Sequence, residues 1–276
     1  MNQAMITSAT TMGQLQHKLD VTSNNLANMN TTGYKRRDVS FQDLLFQQVN
    51  NQQVLSQEVG RSTPYGIRVG SGAALAQTAL RLDQGALQTT GRTLDVALTE
   101  KDYFFEISPA EDGTRRFTRD GAFYLSPNPE VPGENHLVNH KGDYVLSSAG
   151  TPITLPAQYR DITITEDGSI VVTGLDGESQ TVSQMQVLQI TKPQLLNALG
   201  ENNFGFPDLG ELGLGMDDVL NETAGTAVFR QGALEMSNVD MGQEMTEMLL
   251  AQRNYQFNAR AISITDQMMG LVNNIR

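Results

Sequence analysis

Apolar residues return every seven positions at both ends of this chain, and that spacing constrains the fold more than any other feature. Met5, Met12, Leu19 and Leu26 are spaced this way near the N-terminus, as are Met241, Met248, Tyr255, Ile262 and Met269 near the C-terminus. A seven-residue repeat keeps side chains on one face of an α-helix, the seam of a coiled coil. The first run predicts a helix over Gln3 to Met29, about 40 Å long, with Leu15, Thr22 and Met29 on the adjacent row. Asn30, Thr31, Thr32 and Gly33 then form a turn-prone stop, with Gly33 as the helix-ending residue. The second run predicts a helix of about 52 Å from an Asp240 N-cap, with Gln243 three residues on, to Asn274. Met245 and Ala259 widen its stripe. Glu244 and Glu247 precede Arg253 and Arg260, an order that complements the helix dipole.

Charge sharpens the reading of the first helix. Between Met1 and Tyr34 only Lys18 and Asp20 are formally charged, which is unusual for a helix with a wetted back face. Asn, Gln, Ser and Thr can contact neighbouring helices without the desolvation cost of charges, so the pattern suits a helix surrounded by others. Over the whole chain the formal net charge is −12, which repels phosphate backbones and argues against nucleic acid as a partner, despite the short run Lys35, Arg36, Arg37. There are no cysteines, which removes disulfides, thiolate metal sites and cysteine nucleophiles together. No segment approaches the ~20 apolar residues of a membrane span, and the N-terminus lacks the basic and apolar regions of a cleaved signal peptide.

Between the helices the character changes twice. Gln47 to Gly72 is polar, carries five glycines and prolines between Gly60 and Gly72, and predicts a long loop or arm. From Leu94 the chain breaks into short β-type runs: Leu94 to Leu98, Tyr103 to Ile107, Arg116 to Arg119, Ala122 to Leu125, Tyr144 to Leu146, Ile162 to Ile164, Ile170 to Thr173 and Met185 to Ile190. Asp112-Gly113, Asp120-Gly121, Asp167-Gly168 and Asp176-Gly177 are dipeptides suited to tight hairpin turns, so the pairing is expected to be antiparallel. Gly200 to Gly225 is expected to be irregular. The fold class is therefore α+β: two terminal helices forming a coiled-coil-like domain around a central, mostly antiparallel β-domain. The expected boundaries are 1–34, 35–93, 94–192, 193–232 and 233–276.

Chemistry leaves little trace. His136 and His140 would suit a metal only on a helix, and Pro132, Gly133 and Gly142 around them predict strand and turn. Glu166 and Asp167 are candidate paired carboxylates for a wall-cleaving glycosidase, but an Asp-Gly turn explains them without catalysis. No nucleophile elbow, zinc motif or phosphate loop is present. The expectation is a protein with no catalytic, cofactor or metal site.

The run Leu19-Asp20-Val21-Thr22-Ser23-Asn24-Asn25-Leu26-Ala27-Asn28-Met29-Asn30-Thr31-Thr32-Gly33-Tyr34-Lys35 closely resembles the N-terminal signature of bacterial flagellar rod and hook proteins. Gln231 to Asp240, with Glu244-Met245 and Gln252-Arg253-Asn254-Tyr255, resembles the same family's C-terminal signature. Gln84 to Leu87, Leu94 to Leu98 and Phe117 to Phe123 are similar to the rod proteins' β-domain. Phe41-Gln42-Asp43-Leu44-Leu45 and the segment to Gly72 resemble the arm of distal-rod subunits. Glu100-Lys101-Asp102 stands where the family has a Gly-rich turn, and Pro127 to Glu134 looks inserted.

The resemblance implies a non-enzymatic structural subunit of the flagellar basal body that polymerises into a hollow shaft transmitting torque from motor to hook. It further implies export through the flagellar type III apparatus, with no cleaved signal, to a place outside the cytoplasm. Its partners would be copies of itself, other rod and hook subunits and the export apparatus. Proximal-rod or hook-type subunits, a basal-body wall hydrolase and a soluble coiled-coil module are the alternatives. Met12, Leu19, Leu26, Met248, Tyr255 and Ile262 are the assembly-core candidates. Asn24, Asn25 and Asn28 are candidates for polar contacts between subunits, and Thr32, Gly33, Ser237, Asn238, Val239 and Asp240 complete the motif positions.

Overall fold

The computed structural model describes residues 2–43, 46–49, 67–70, 73–110, 113–129, 131–200, 202–210, 213–222 and 228–274. The chain forms two compact units. One comprises Met1–Leu26, Arg37–Ala79 and Met241–Arg276; the other comprises Ala27–Arg36 and Leu80–Asp240.

The first unit contains two helices, α1 (Asn2–Ala27) and α2 (Met241–Asn274), neither of which holds a proline. Both stand where the seven-residue spacing predicts them. It also contains paired strands: Arg37–Asp43 lies beside Ala73–Leu80, flanking the stretch expected to be a loop, and at the ends of that stretch Phe46–Val49 pairs antiparallel with Ile67–Gly70. The loop expectation fails there because Phe46–Val49 and Ile67–Gly70 are only four residues each, at the lower limit for a readable alternation. Residues 50–66 of the expected arm lie outside the described residues.

The second unit is the antiparallel β region. Its largest sheet has six strands, in the order Asn197–Gly200, Asn203–Gly205, Arg116–Thr118, Tyr103–Ile107, Val187–Ile190 and Leu220–Glu222, with every neighbour antiparallel. Tyr103–Ile107 is buried along its whole length, which explains its unbroken apolar run. Tyr103 and Phe105 enter one core with Phe123, Val187 and Phe229. Phe104 points the other way, into a second core with Phe117, Leu188, Phe204 and Phe206. Strand pleating thus makes one segment serve two cores. Edge-to-face ring pairs lock each of them: Phe105 on Phe123 at 5.1 Å, and Phe104 on Phe204 at 5.6 Å.

Two of the Asp-Gly units behave as expected. Gly168 (φ +78°) and Gly177 (φ +83°) turn the chain between Asp161–Ile164, Ser169–Thr173 and Ser179–Gln184, which pair antiparallel. Asp120-Gly121 does not turn a hairpin. A Cβ on Gly121 would lie 1.7 Å from the Val96 carbonyl oxygen, and Val96 donates its amide to Gly121. Gly121 is there to let two backbones touch. Gly33 is likewise not the helix stop, since α1 ends at Ala27. It has φ +68°, and a Cβ on it would sit 2.6 Å from the backbone of Arg119 and Asp120. Gly200 to Gly225 also proves partly regular, with strands Asn203–Gly205 and Leu220–Glu222.

At the heart of the second unit sits a buried ionic cluster joining segments 200 residues apart in sequence. Lys35 Nζ donates to Glu235 Oε1 at 2.7 Å and to the Asp83 carbonyl at 2.9 Å. Glu235 Oε1 also accepts the Gly85 amide. Arg119 Nε faces Glu235 Oε2 at 3.0 Å, within ion-pair range but not aligned as a hydrogen bond. The side chains of Lys35, Glu235 and Arg119 are at most 1% exposed. Two cations share one carboxylate away from water. Burial, followed by repulsion from Arg119, holds the Lys35 pKa below its usual value despite the Glu235 partner, and burial lowers that of Arg119 too.

The cluster predicts an asymmetric mutational response. Glu235→Gln strands two buried cations and is expected to cost about 3–5 kcal/mol in urea unfolding, whereas Lys35→Met leaves a balanced Glu235–Arg119 pair and is expected to cost less than half as much. Equal losses would count against this electrostatic account. A second expectation concerns acid. Burial works to raise the Asp143 pKa, but hydrogen bonds from Asn139 and Arg116 outweigh it and leave the pKa below 3.8. The folded state therefore binds this proton less readily than the unfolded chain. Its stabilisation is fully present above about pH 4 and is lost as pH falls through the lowered pKa. Asp143→Asn should flatten the acid limb of a stability-against-pH curve.

Candidate assembly surface

The contacts between α1 and α2 run in opposite chain directions. Asn25 donates to Glu244 at 3.2 Å, and Lys18 pairs with Glu247 at 3.3 Å. Further along, Thr11, Gln14, Leu15 and Lys18 face Leu250, Ala251 and Asn254 across a groove of about 340 Å³. Asn25 is the hub. It is buried, and its amide also brackets Arg37, donating to the carbonyl at 2.9 Å and accepting the N–H at 3.1 Å. An amide can do both, which a charged or apolar side chain could not.

Burial along α2 resolves a seam finer than the methionine stripe. Glu244, Ala251 and Thr265 are buried, Asn258 is half-buried, and these alternate at four and three residues with half-buried Met248, Tyr255, Ile262 and Met269. The deepest positions are small or polar, so a search for hydrophobic heptads sees only half of the seam. On α1 the deepest residues are Leu15, Thr22 and Asn25, with Met12, Leu19 and Leu26 half-buried beside them. Met241 and Met245, read as part of the stripe, are exposed.

A second line on α2 went unread. Leu250, Phe257, Ile264 and Leu271 are seven apart and all more than half exposed. Exposed Asn254, Ala261 and Met268 fall between them and complete another four-three alternation. Its spacing was available in the sequence, masked by the parallel methionine stripe. Nine large apolar side chains of α2 are exposed. At on the order of 100 Å² each they present roughly 900 Å², far above a scattering of single surface hydrophobics and close to one side of a standard protein interface.

The remaining sequence-singled residues fall elsewhere. Asn24 is exposed and Asn28 half-buried, with the Asn28 side chain accepting from Thr31. Thr32 donates to Asp120 Oδ1 at 2.8 Å, and Gly33 donates its amide to the Glu235 carbonyl. Ser237 Oγ accepts from Val239 N, and Asp240 is exposed just before α2. Asn238 accepts from Arg36 N and donates to the carbonyls of Arg81 and Asp83. Lys35, Arg119 and Glu235 were missed as a set, because nothing in a sequence signals that three distant charges converge. His136 lies on the strand Glu134–Val138 with its ring edge-on to Tyr144. His140 Nδ1 lies 3.5 Å from Asp120. Among the described residues, no three His, Asp or Glu side chains converge as a metal site.

Known proteins share this plan along the whole chain. Residues 5–35 match the family model described as flagella basal body rod protein, residues 100–172 the flagellar hook protein FlgE/F/G D1 domain, and residues 230–275 the flagellar basal body rod FlgEFG protein C-terminal region. The flagellar hook-basal body complex protein FlhP of Bacillus subtilis is 36% identical over 278 residues, covering both chains completely. The flagellar basal-body rod protein FlgG of Borreliella burgdorferi is 36% identical over 281 residues, covering 100% of this chain and 99% of its own. The FlgG protein of B. subtilis is 32% identical over 96% of each chain. At this identity over the full length, the chain belongs to the flagellar basal-body rod protein family.

Proposed function

We propose that the protein is a non-enzymatic structural subunit of the flagellar rod, and that it polymerises through its terminal helices. The observation that carries the reading is the exposed line Phe257, Ile264 and Leu271, which continues from Leu250 at the edge of the groove facing α1. A helix with two apolar lines has more partners to satisfy than one other helix can supply. Copies of the same chain supply them by a heterologous, repeating contact, which grows a filament instead of closing a small ring. Stiffness is then the whole mechanism of torque transmission.

Family membership supports a place in the flagellar basal body among other axial subunits. Relatives named flagellar basal-body rod protein FlgG support a rod subunit over the hook alternative. Assignment to the distal rod, contact with the export apparatus and delivery outside the cytoplasm without a cleaved signal remain parts of the proposal. So does a coiled-coil association of 1–34 with 233–276, around a β-domain at 94–192 reached through 35–93 and left through 193–232. In this reading Met12, Leu19, Leu26, Met248, Tyr255 and Ile262 hold the helix pair, and Asn24 and Asn28 make polar contacts with neighbours. No helix among the described residues is long and apolar enough to cross a membrane.

The test is assembly of purified protein, followed by light scattering and electron microscopy. Phe257→Ser with Ile264→Ser is expected to reduce polymer formation at least 100-fold while leaving urea unfolding of the β region unchanged, because both side chains are already in water in the monomer. Polymerisation at the normal rate by this double variant would sink the assignment of the exposed line. Failure of the unaltered chain to assemble with any axial subunit would sink the function.

A further inference from the structure

Two of the stretches next to the points where the chain passes between the units are residues 33–36, downstream of α1, and residues 235–238, just ahead of α2. They are bound to the β region unequally. The later stretch makes contacts of its own. Ala233–Glu235 pairs antiparallel with Leu87–Thr89, Met236 donates its amide to Ala86, and the Glu235 carboxylate accepts the Gly85 amide. Asn238 donates to Arg81 and Asp83. A Cβ on Gly85 would meet the Met236 carbonyl oxygen at 1.9 Å, so this docking is also sterically exacting.

The earlier stretch has footholds of its own, with Thr32 donating to Asp120 and Gly33 against the Arg119 backbone, and it also leans on the later stretch. The Gly33 amide donates to the Glu235 carbonyl at 2.8 Å, the Lys35 ammonium to the Glu235 carboxylate at 2.7 Å, and the Arg36 amide to Asn238 Oδ1 at 2.8 Å. Lys35 also reaches the Asp83 carbonyl, the acceptor that Asn238 shares, and Arg36 accepts the Arg81 amide. Without Glu235, the Lys35 ammonium would be buried against Arg119 with no counter-charge, which would drive the 33–36 stretch out into water.

We propose that Lys35, Glu235 and Asn238 are positioning residues forming a one-way joint: the C-terminal crossing docks without the N-terminal one, and the N-terminal crossing docks fully only with the C-terminal one in place. Anchoring of the chain that follows α1 thereby becomes conditional on the chain that leads into α2. This goes beyond the polymerisation reading and does not depend on it as a statement about the monomer. Its consequence for assembly, that an unanchored N-terminal crossing slows subunit addition, does rest on that reading.

Residue-resolved hydrogen exchange on the full chain tests the order of docking. Lys35→Met keeps the Glu235–Arg119 pair, so it should raise exchange at the Gly33 and Arg36 amides at least 10-fold while Gly85 and Met236 change less than 2-fold. Asn238→Ala should raise all four at least 10-fold. In both variants the core amides of Phe105 and Val187 should stay as protected as in the unaltered chain. If Lys35→Met instead loosens Gly85, Met236 and the core together, or loosens neither crossing, the one-way joint is overturned.

A parallel assembly assay separates the two readings. Polymer growth by the unaltered chain together with at least 10-fold slower growth by Lys35→Met supports the joint's role in assembly. Equal growth rates with an opened N-terminal crossing overturn that role and leave polymerisation standing. No growth by the unaltered chain overturns polymerisation and, with it, the assembly consequence, while the exchange pattern alone still decides the docking order.

Discussion

One carboxylate organises the β-containing unit. Glu235 receives the Lys35 ammonium and the Gly85 amide on one oxygen and faces the Arg119 guanidinium with the other, all of it out of water. A buried ion cluster of this kind contributes little net stability compared with well-packed apolar residues, but it is far less tolerant of partial occupancy. That intolerance is what a joint between distant segments requires. Apolar residues would tolerate a slipped register, whereas one carboxylate shared by two cations holds both in a single arrangement. Gly33 and Gly85 add a steric condition, since each lies too close to its neighbour's backbone to carry a side chain.

Asn25 does for the helical unit what Glu235 does for the other, with gentler chemistry. Its amide ties α2 at Glu244 and the first strand residue at Arg37, and it sits just before the end of α1. Both hubs lie beside sequence positions where the chain passes between units. The polar character of α1 follows from the same economy. A helix that meets partners on several sides gains from amides and hydroxyls that can be satisfied locally, as Thr22 is by the Lys18 carbonyl.

Features with a local physical cause were legible in the sequence. The helices announced themselves by spacing, the strand Tyr103–Ile107 by its unbroken apolar run, and the Asp167-Gly168 and Asp176-Gly177 turns by backbone chemistry. Features whose cause lies far along the chain were not. Asp120-Gly121 carries the same letters as a hairpin turn, but Gly121 serves the close approach of Val96. Gly33 reads as a helix stop, yet its requirement comes from Arg119 and Asp120. The strands Phe46–Val49 and Ile67–Gly70 are too short for alternation to mark them. In the candidate surface, the methionine stripe was read and the buried small residues Ala251 and Thr265 were not, since a heptad search weights size over depth.

The exposed line on α2 shows how a single helix can hold two instructions. Counting from Glu244, the buried seam advances by four and three residues to Met269, and the line from Leu250 to Leu271 advances by the same steps on an adjoining face. A soluble monomer gains nothing from the second line, which adds apolar surface to water and invites nonspecific association. Its regular spacing argues against accident, because scattered surface hydrophobics carry no register. Under the proposed polymerisation a repeating partner would read that register, and one helix meeting α1 on one face and a neighbour on the next would pass load directly between them. Stiffness in such a shaft then depends on packing along α2 and requires no moving part.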